Sequence, residues 1–524
     1  MNPVQDAPVL TAPAAVQPVG VTTRVVHGAL WSFSGQIATA AALFVATPLV
    51  IRRLGSEAYG VLALVNLLLG YLSFADVGMG DASTRFAAGA HERGDSRGES
   101  AVVWTTLAIA AVPTLAGAAA LAFGARVLAV RVFHLPPALQ DAGTAAFRIA
   151  ALGFVARSLG GVLNTPQLVR LRFASLTLIN AGLTVAQIAL VPIVLALGGG
   201  LVGAVWVIAG AAAAMTLAHA VVGWSLLPEL ARPKFDRAML ATLTRFGIAV
   251  SASAFMNIAL ASGEKLMLTW FASVRALAHY SVAMSLAGLV AMAPAAIGQA
   301  LTPAFARLGS LTDRSALQQL YARALRATVF SSVPVTLGLC LIARPFFTRW
   351  AGPEFGDEST GPFYILAAGL LFNVVACVPY RLMLAQGHAD FLARYHAIEL
   401  VPYVVGAAML TYALGAVGAA AAWTLRQAVA TIVLLIAVRG TEGLAPAAVP
   451  RNRGSFAAAL MVLIAPLALT PAVTLPLAAH LAIGMASILG YAALIWRRVL
   501  TGEERDGITR LLRSGGLLGM VMTT

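Results

Sequence analysis

Two apolar runs joined by a short polar elbow open the chain, and the same alternation governs nearly everything after them. Residues 28–51 and 59–79 flank the elbow Arg52-Arg53-Leu54-Gly55-Ser56-Glu57, and a charged stretch with Arg85, His91, Glu92, Arg93, Asp95 and Arg97 follows. Each run comes close to the ~20 residues a helix needs to cross the hydrocarbon core of a bilayer. The opening therefore reads as a membrane-spanning hairpin with a charged foot.

Composition agrees. The 524 residues are 60% hydrophobic and 11% charged, with a mean hydropathy of +0.85. A soluble domain carries about 25% charged residues. Here the charges sit in short gaps between apolar runs, as in a multi-pass membrane protein. Fourteen runs of spanning length are expected, near 28–51, 59–79, 101–123, 141–163, 174–197, 201–226, 243–264, 276–303, 322–344, 361–384, 393–413, 416–438, 455–475 and 478–496. The predicted fold class is all-α. Residues 1–23 lack the basic n-region of a secretory signal and read as a disordered tail.

Lys and Arg collect in cytoplasmic loops. With the N-terminus inside, 24 of the 35 fall in inside segments and 8 in outside ones, with Arg148, Arg157 and Arg426 inside spans. Both termini are thus expected in the cytoplasm. The net charge of +14 does not make a nucleic-acid binder, because no contiguous basic face with stacking aromatics exists. Cys340 and Cys377 lie inside apolar runs and read as packing residues.

The chain also repeats. Ala196-Leu197-Gly198 with Trp206 returns as Ala413-Leu414-Gly415 with Trp423, 217 residues on; Gln167 and Gln386 match at 219, Tyr59 and Tyr280 at 221. Spans 1–6 are expected to recur as spans 7–12 in one orientation, a parallel repeat. The expected organisation is a tail at 1–23, a first lobe at 24–226, a linker at 227–242, a second lobe at 243–440, spans 13 and 14 within 441–500, and a cytoplasmic tail at 501–524. Around Arg505–Arg513 that tail has a basic, amphipathic character suited to the inner leaflet. The longest outside connection, about 124–140, is too short for a catalytic domain. No loop holds a nucleophile set, a phosphate-binding glycine loop or a His/Cys cluster, so no enzyme and no cofactor are expected.

Trp31, Pro48-Leu49, Arg53-Leu54-Gly55, Glu57, Tyr59-Gly60, Asp76-Val77-Gly78 and Arg85 together resemble the bacterial polysaccharide flippase family, within the multidrug/oligosaccharidyl-lipid/polysaccharide exporter superfamily. Glu264-Lys265-Leu266 followed by Tyr280-Ser281-Val282-Ala283 resembles that family's second-lobe acid-Lys pair and later Tyr, with Glu where Asp is usual. The resemblance implies two six-helix lobes around a central cavity, two extra C-terminal helices, and alternating-access translocation of an undecaprenyl-diphosphate-linked oligosaccharide across the bacterial inner membrane. It also implies membrane lipids, and a polysaccharide polymerase with its chain-length machinery, as partners. Any coupling ion would be H+ or Na+. The rival within the superfamily is an ion-coupled multidrug antiporter, which calls for mid-span carboxylates in the first lobe. The rival of another class, a membrane glycosyltransferase, polymerase or ligase, calls for a large outside loop.

Candidate residues carry two readings each. Arg148, Arg157 and Arg426 either meet an anionic ligand in a cavity or snorkel and pair, Arg426 with Glu399 for instance. Arg148 and Arg157 are nine apart and point to opposite helix faces. Glu264 and Lys265 are expected at the outer end of span seven, as a gate or ion-coupling pair or as a rim anchor. Asp76 and Asp81, near Arg85, read as a structural network or as a closing gate. Gln36, Asn66, Asn180, Gln187, Asn257, Gln299, Asn373 and Gln427 either bond helix to helix or offer hydroxyl-binding groups to sugars.

Overall fold

A computed structural model describes residues 18–73, 78–309, 314–444, 453–469 and 476–500, together with 502, 505, 506 and 509. Helices account for almost all of it. In chain order they are α1 (Pro18–Leu72), α2 (Met79–Glu92), α3 (Ser96–Val127), α4 (Gln140–Leu163), α5 (Thr165–Val169), α6 (Phe173–Ala196), α7 (Gly200–Leu226) and α8 (Leu240–Phe271). They continue as α9 (Val274–Ala287), α10 (Met292–Gly309), α11 (Ser315–Trp350), α12 (Pro353–Glu358), α13 (Thr360–Ala385), α14 (Ala389–Glu442), α15 (Arg453–Leu469) and α16 (Leu477–Leu494). Among the described residues eleven stretches are long and apolar enough to span a membrane. Two of these, α1 and α14, fold back on themselves, and α15 is a shorter apolar helix, so the chain makes about fourteen passes.

The fold-backs rest on single glycines. Gly55 has φ 76° and ψ 169°, and Gly415 has φ 57° and ψ −131°, conformations that favour a residue without Cβ. The reversal at Gly55 brings Tyr59 within hydrogen-bonding reach of Thr47. The polar elbow is therefore one residue and not a loop. The charged foot differs from its sequence reading too. Arg85, His91 and Glu92 belong to α2, capped at its end by the turn that leads to α3.

The first six passes and the next six share their packing. Thr216 on α7 donates to the Ala156 carbonyl on α4 at 2.5 Å, and Thr431 on α14 donates to the Phe372 carbonyl on α13 at 2.8 Å. The two bonds are 215 and 216 residues apart, close to the offsets read from the sequence. The linker between lobes lies flat against α3: Ser100 and Trp104 donate to the carbonyls of Glu229 and Leu230, and Thr105 accepts from the Asp236 amide. Helices α15 and α16 pack on α11 through Phe330, Val333 and Leu337.

The lobes meet most tightly at the elbow end. Phe44 stacks on Phe346 and Trp350, Trp350 donates to the Phe44 carbonyl at 3.1 Å, and Arg52 donates to the Arg349 carbonyl. Val274 and Leu277 of the second lobe are part of the first lobe's apolar core.

Candidate functional site

The first lobe encloses a cavity of about 760 Å³ among both arms of α1, α4, α6 and α7. Its walls are amides and hydroxyls, with Asn66, Asn164, Asn180, Gln187, Thr184 and His219 among them. Among the described residues Arg157 is the one charged side chain on the wall, and none of those lining it is a carboxylate. Small residues of α4 make the space: Gly153 packs on Ala209, and Gly160 lies against Thr216. His219 is buried, with Nε2 3.1 Å from Asn180 Oδ1. Asn66 donates to the Leu62 carbonyl, which leaves its own oxygen free to accept. A wall of this kind offers hydrogen bonds to a polyhydroxyl solute and one guanidinium to an anion.

The second lobe uses the corresponding helices differently. Glu264 on α8 is fully buried, accepting from Tyr280 at 3.0 Å and from Tyr403 at 2.6 Å, while Tyr71 of the first lobe faces it. The Arg426 guanidinium lies over the Tyr403 ring, 5.3 Å from its centre, and donates to the Leu260 carbonyl. Its Nε is 3.7 Å from Glu399, whose same oxygen is 2.8 Å from His396 Nδ1. Tyr59 bonding Thr47 occupies the place in the first lobe that Tyr280 bonding Glu264 has in the second.

The expected rim position of Glu264 is thus corrected. Helix α8 runs to Phe271, seven residues beyond it, because two tyrosine hydroxyls satisfy the carboxylate inside the span. Lys265 is half-buried on a different face of α8. Arg157 lines the first-lobe cavity; Arg148, exposed, does not line it. Arg426 and Glu399 share the second-lobe network and, with Tyr395 and Tyr403, line a cavity of about 310 Å³. Arg85 reaches from α2 to α8, its guanidinium 4.8 Å from the Phe246 ring centre. Asp76 lies outside the described residues. Of the polar amides, Gln36 lies in a groove between α1 and α6, whereas Asn373 and Gln427 bond to each other at 3.3 Å.

A cluster that sequence reasoning missed joins the lobes at the elbow end. Glu354, on α12, accepts from Arg275 at 2.7 Å, lies 3.0 Å from His279 and takes a hydrogen bond from Ser56 of the elbow. Partial burial alone would raise this carboxyl. The bonds from Ser56 and Arg275, with the charges of His279 and Arg275, outweigh that and hold it below the usual carboxylate range. The one sequence signal was its Gly-Pro-Glu helix start. Among the described residues no group of three His, Cys, Asp or Glu could hold a metal ion.

The fold is that of known membrane transporters. It matches a structure described as lipid II flippase MurJ in an inward closed conformation, with a TM-score of 0.67 and 11% identity over 90% of this chain and 99% of that one. An inward-facing multidrug resistance MATE family transporter of the MOP superfamily matches with a TM-score of 0.64 and 16% identity, over 80% of this chain and 97% of its own. Among curated proteins, one from Shigella flexneri named "Putative O-antigen transporter" is 27% identical over 157 residues. That match spans 30% of this chain and 37% of the relative. The family described as "Polysaccharide biosynthesis protein" matches residues 49–359. That match takes in more than half of the chain, which belongs to the polysaccharide biosynthesis protein family.

Proposed function

We propose that the protein is a flippase that carries an oligosaccharide linked to undecaprenyl diphosphate across the bacterial inner membrane. The observation that carries this reading is the first-lobe cavity, rich in amides and hydroxyls, with one arginine and no carboxylate among the described residues. A glycan supplies the hydroxyls for such a wall, and a phosphate supplies the anion for Arg157. A cationic drug would find no counter-charge among the described residues of that wall, which weighs against the multidrug antiporter. The repeated lobes, bonded at the elbow end, support alternating access in which those bonds break as the opposite end closes. The Lys and Arg bias of the loops supports an orientation with both termini in the cytoplasm.

The test is reconstitution of the full chain in liposomes with a fluorescent polyprenyl-diphosphate-linked glycan and an assay of leaflet accessibility. Wild type is expected to move the lipid. Absence of movement, or an unchanged rate for Arg157→Ala, overturns the reading.

A further inference from the structure

The first-lobe cavity is not sealed. A groove of about 470 Å³ runs between the first arm of α1 and α6, walled by Gly35, Gln36 and Ala40 on one side and Leu176, Thr177 and Ala181 on the other. Groove and cavity share Thr39, Leu43, Asn180 and Thr184, so one leads into the other. At its other end, one turn away on α1 and next to Leu176 on α6, lies a basin of about 1050 Å³ that includes Trp31, His91, Arg170, Arg172 and Ser175. Groove and cavity are continuous, and the basin borders the groove through neighbouring residues of both helices, Trp31 beside Gly35 and Ser175 beside Leu176.

The basin is cationic and amphipathic. No carboxylate lines it among the described residues. Arg170 is already held, bonded by both Nη atoms to buried Glu99 at 2.5 and 3.1 Å, with His91 3.3 Å from the same carboxylate. Arg172 is different. It is exposed, has no ion pair or side-chain hydrogen bond among the described residues, and precedes α6 directly. Leu171, at φ 53°, turns the chain in the left-handed region between the two arginines, so that they serve separate tasks. Trp31, 40% exposed, sits opposite, at the level where an indole favours the boundary between headgroups and hydrocarbon. The path between the lobes is packed instead: Phe86 meets Phe246 edge-on at 5.9 Å, and Gly78 lies against Val250.

We propose that the α1–α6 seam is the entry path for the diphosphate headgroup of the lipid-linked glycan, with Arg172 in the basin as its first phosphate contact. The proposal rests on the flippase reading above and adds the route. The isoprenoid chain stays in the bilayer beside α1 while the headgroup passes Thr39 and Asn180 to reach Arg157.

Two measurements on the full chain test it, with Cys340 and Cys377 replaced by Ala. In the first, a disulfide staples the seam. The helices touch at this point: a Cβ at position 35 would stand 2.9 Å from that of Ala181, so Gly35→Cys with Ala181→Cys reaches the ~3.8 Å of a disulfide once they part by about 1 Å, and the bridge then holds the seam shut. The oxidised protein should lose about tenfold in transport rate, as a blocked path requires, and dithiothreitol should restore it. In the second, a farnesyl-diphosphate-linked N-acetylhexosamine carrying a diazirine beside the diphosphate is photolysed with the protein in nanodiscs. Labels should fall on the peptides holding Trp31 and Arg172–Ser175. They should drop about tenfold in Arg172→Ala, as loss of a charge-assisted bond predicts, and resist competition by phosphatidylglycerol. An oxidised staple that transports at the reduced rate, labels confined to α2 and α8, or equal competition by phosphatidylglycerol overturns the route. Wild type that moves no lipid at all overturns the flippase reading and the route with it.

Discussion

The two lobes share a fold and differ in what fills it. In the first, small residues such as Gly153, Gly160 and Ala209 leave a polar cavity with Arg157 on its wall. In the second, the corresponding helices tie Glu264, Tyr280, Tyr403, Arg426 and Glu399 into one network and leave a smaller cavity of about 310 Å³ beside Tyr403, Arg426 and Glu399. A guanidinium with no acidic partner on its wall is available to a ligand. One lying between a tyrosine ring, a carbonyl and a carboxylate is occupied. Two arginines of equal cost in a bilayer thus have different tasks, and the neighbours decide which.

Substitutions can break that contrast. Arg426→Ala leaves Glu399 without its counter-charge in a largely buried site, which should cost about 3 kcal/mol of stability. A lowered thermal midpoint in detergent would register it, and an unchanged midpoint would return Arg426 to the list of ligand contacts. Arg157→Ala should do the reverse: an unchanged midpoint, with transport of the phosphate-bearing lipid lowered about tenfold, the loss of one charge-assisted bond. Glu264→Gln keeps one acceptor for two tyrosine donors and should cost about 1 kcal/mol. That loss is read by the same melting curve. A gain in stability would show the carboxylate to be strained there.

The smallest effect concerns the joint between lobes. Glu354 is held below the usual carboxylate range, so its bonds to Ser56 and Arg275 contribute at any pH above that range. They weaken only as pH falls through the lowered value. Spin labels on opposite lobes should keep their separation as pH falls into the ordinary carboxylate range and widen below it. Glu354→Gln should remove that response, and widening near neutral pH would point to His279 instead.

Much of this was legible in the residues. Apolar runs of spanning length gave the passes to within several residues, and the offsets near 217 marked the repeat that the Thr216 and Thr431 bonds display. The charges of Arg52, Arg53 and Glu57 mark the polar elbow in the sequence, yet charge does not end a helix, and the reversal needs only Gly55. The cut of span seven at Glu264 failed for a related reason. A carboxylate is costly in hydrocarbon only when unsatisfied, and its two donors are 16 and 139 residues away. No local pattern announces partners at that distance. The Glu354 cluster was missed likewise, since Ser56, Arg275 and Glu354 belong to three separate segments.

The sequence by itself determined the solvent and the fold class, because hydropathy and run length are local sums that a bilayer reads directly. It also determined the repeat and the set of intramembrane arginines. Tertiary structure alone decided which arginine meets a polar cavity without a carboxylate among the described residues and which pairs with one, where the lobes touch, and which helix seam carries a groove. Those depend on side chains brought together from distant positions, and a few small residues of α4 and α7 settle whether space is left between them.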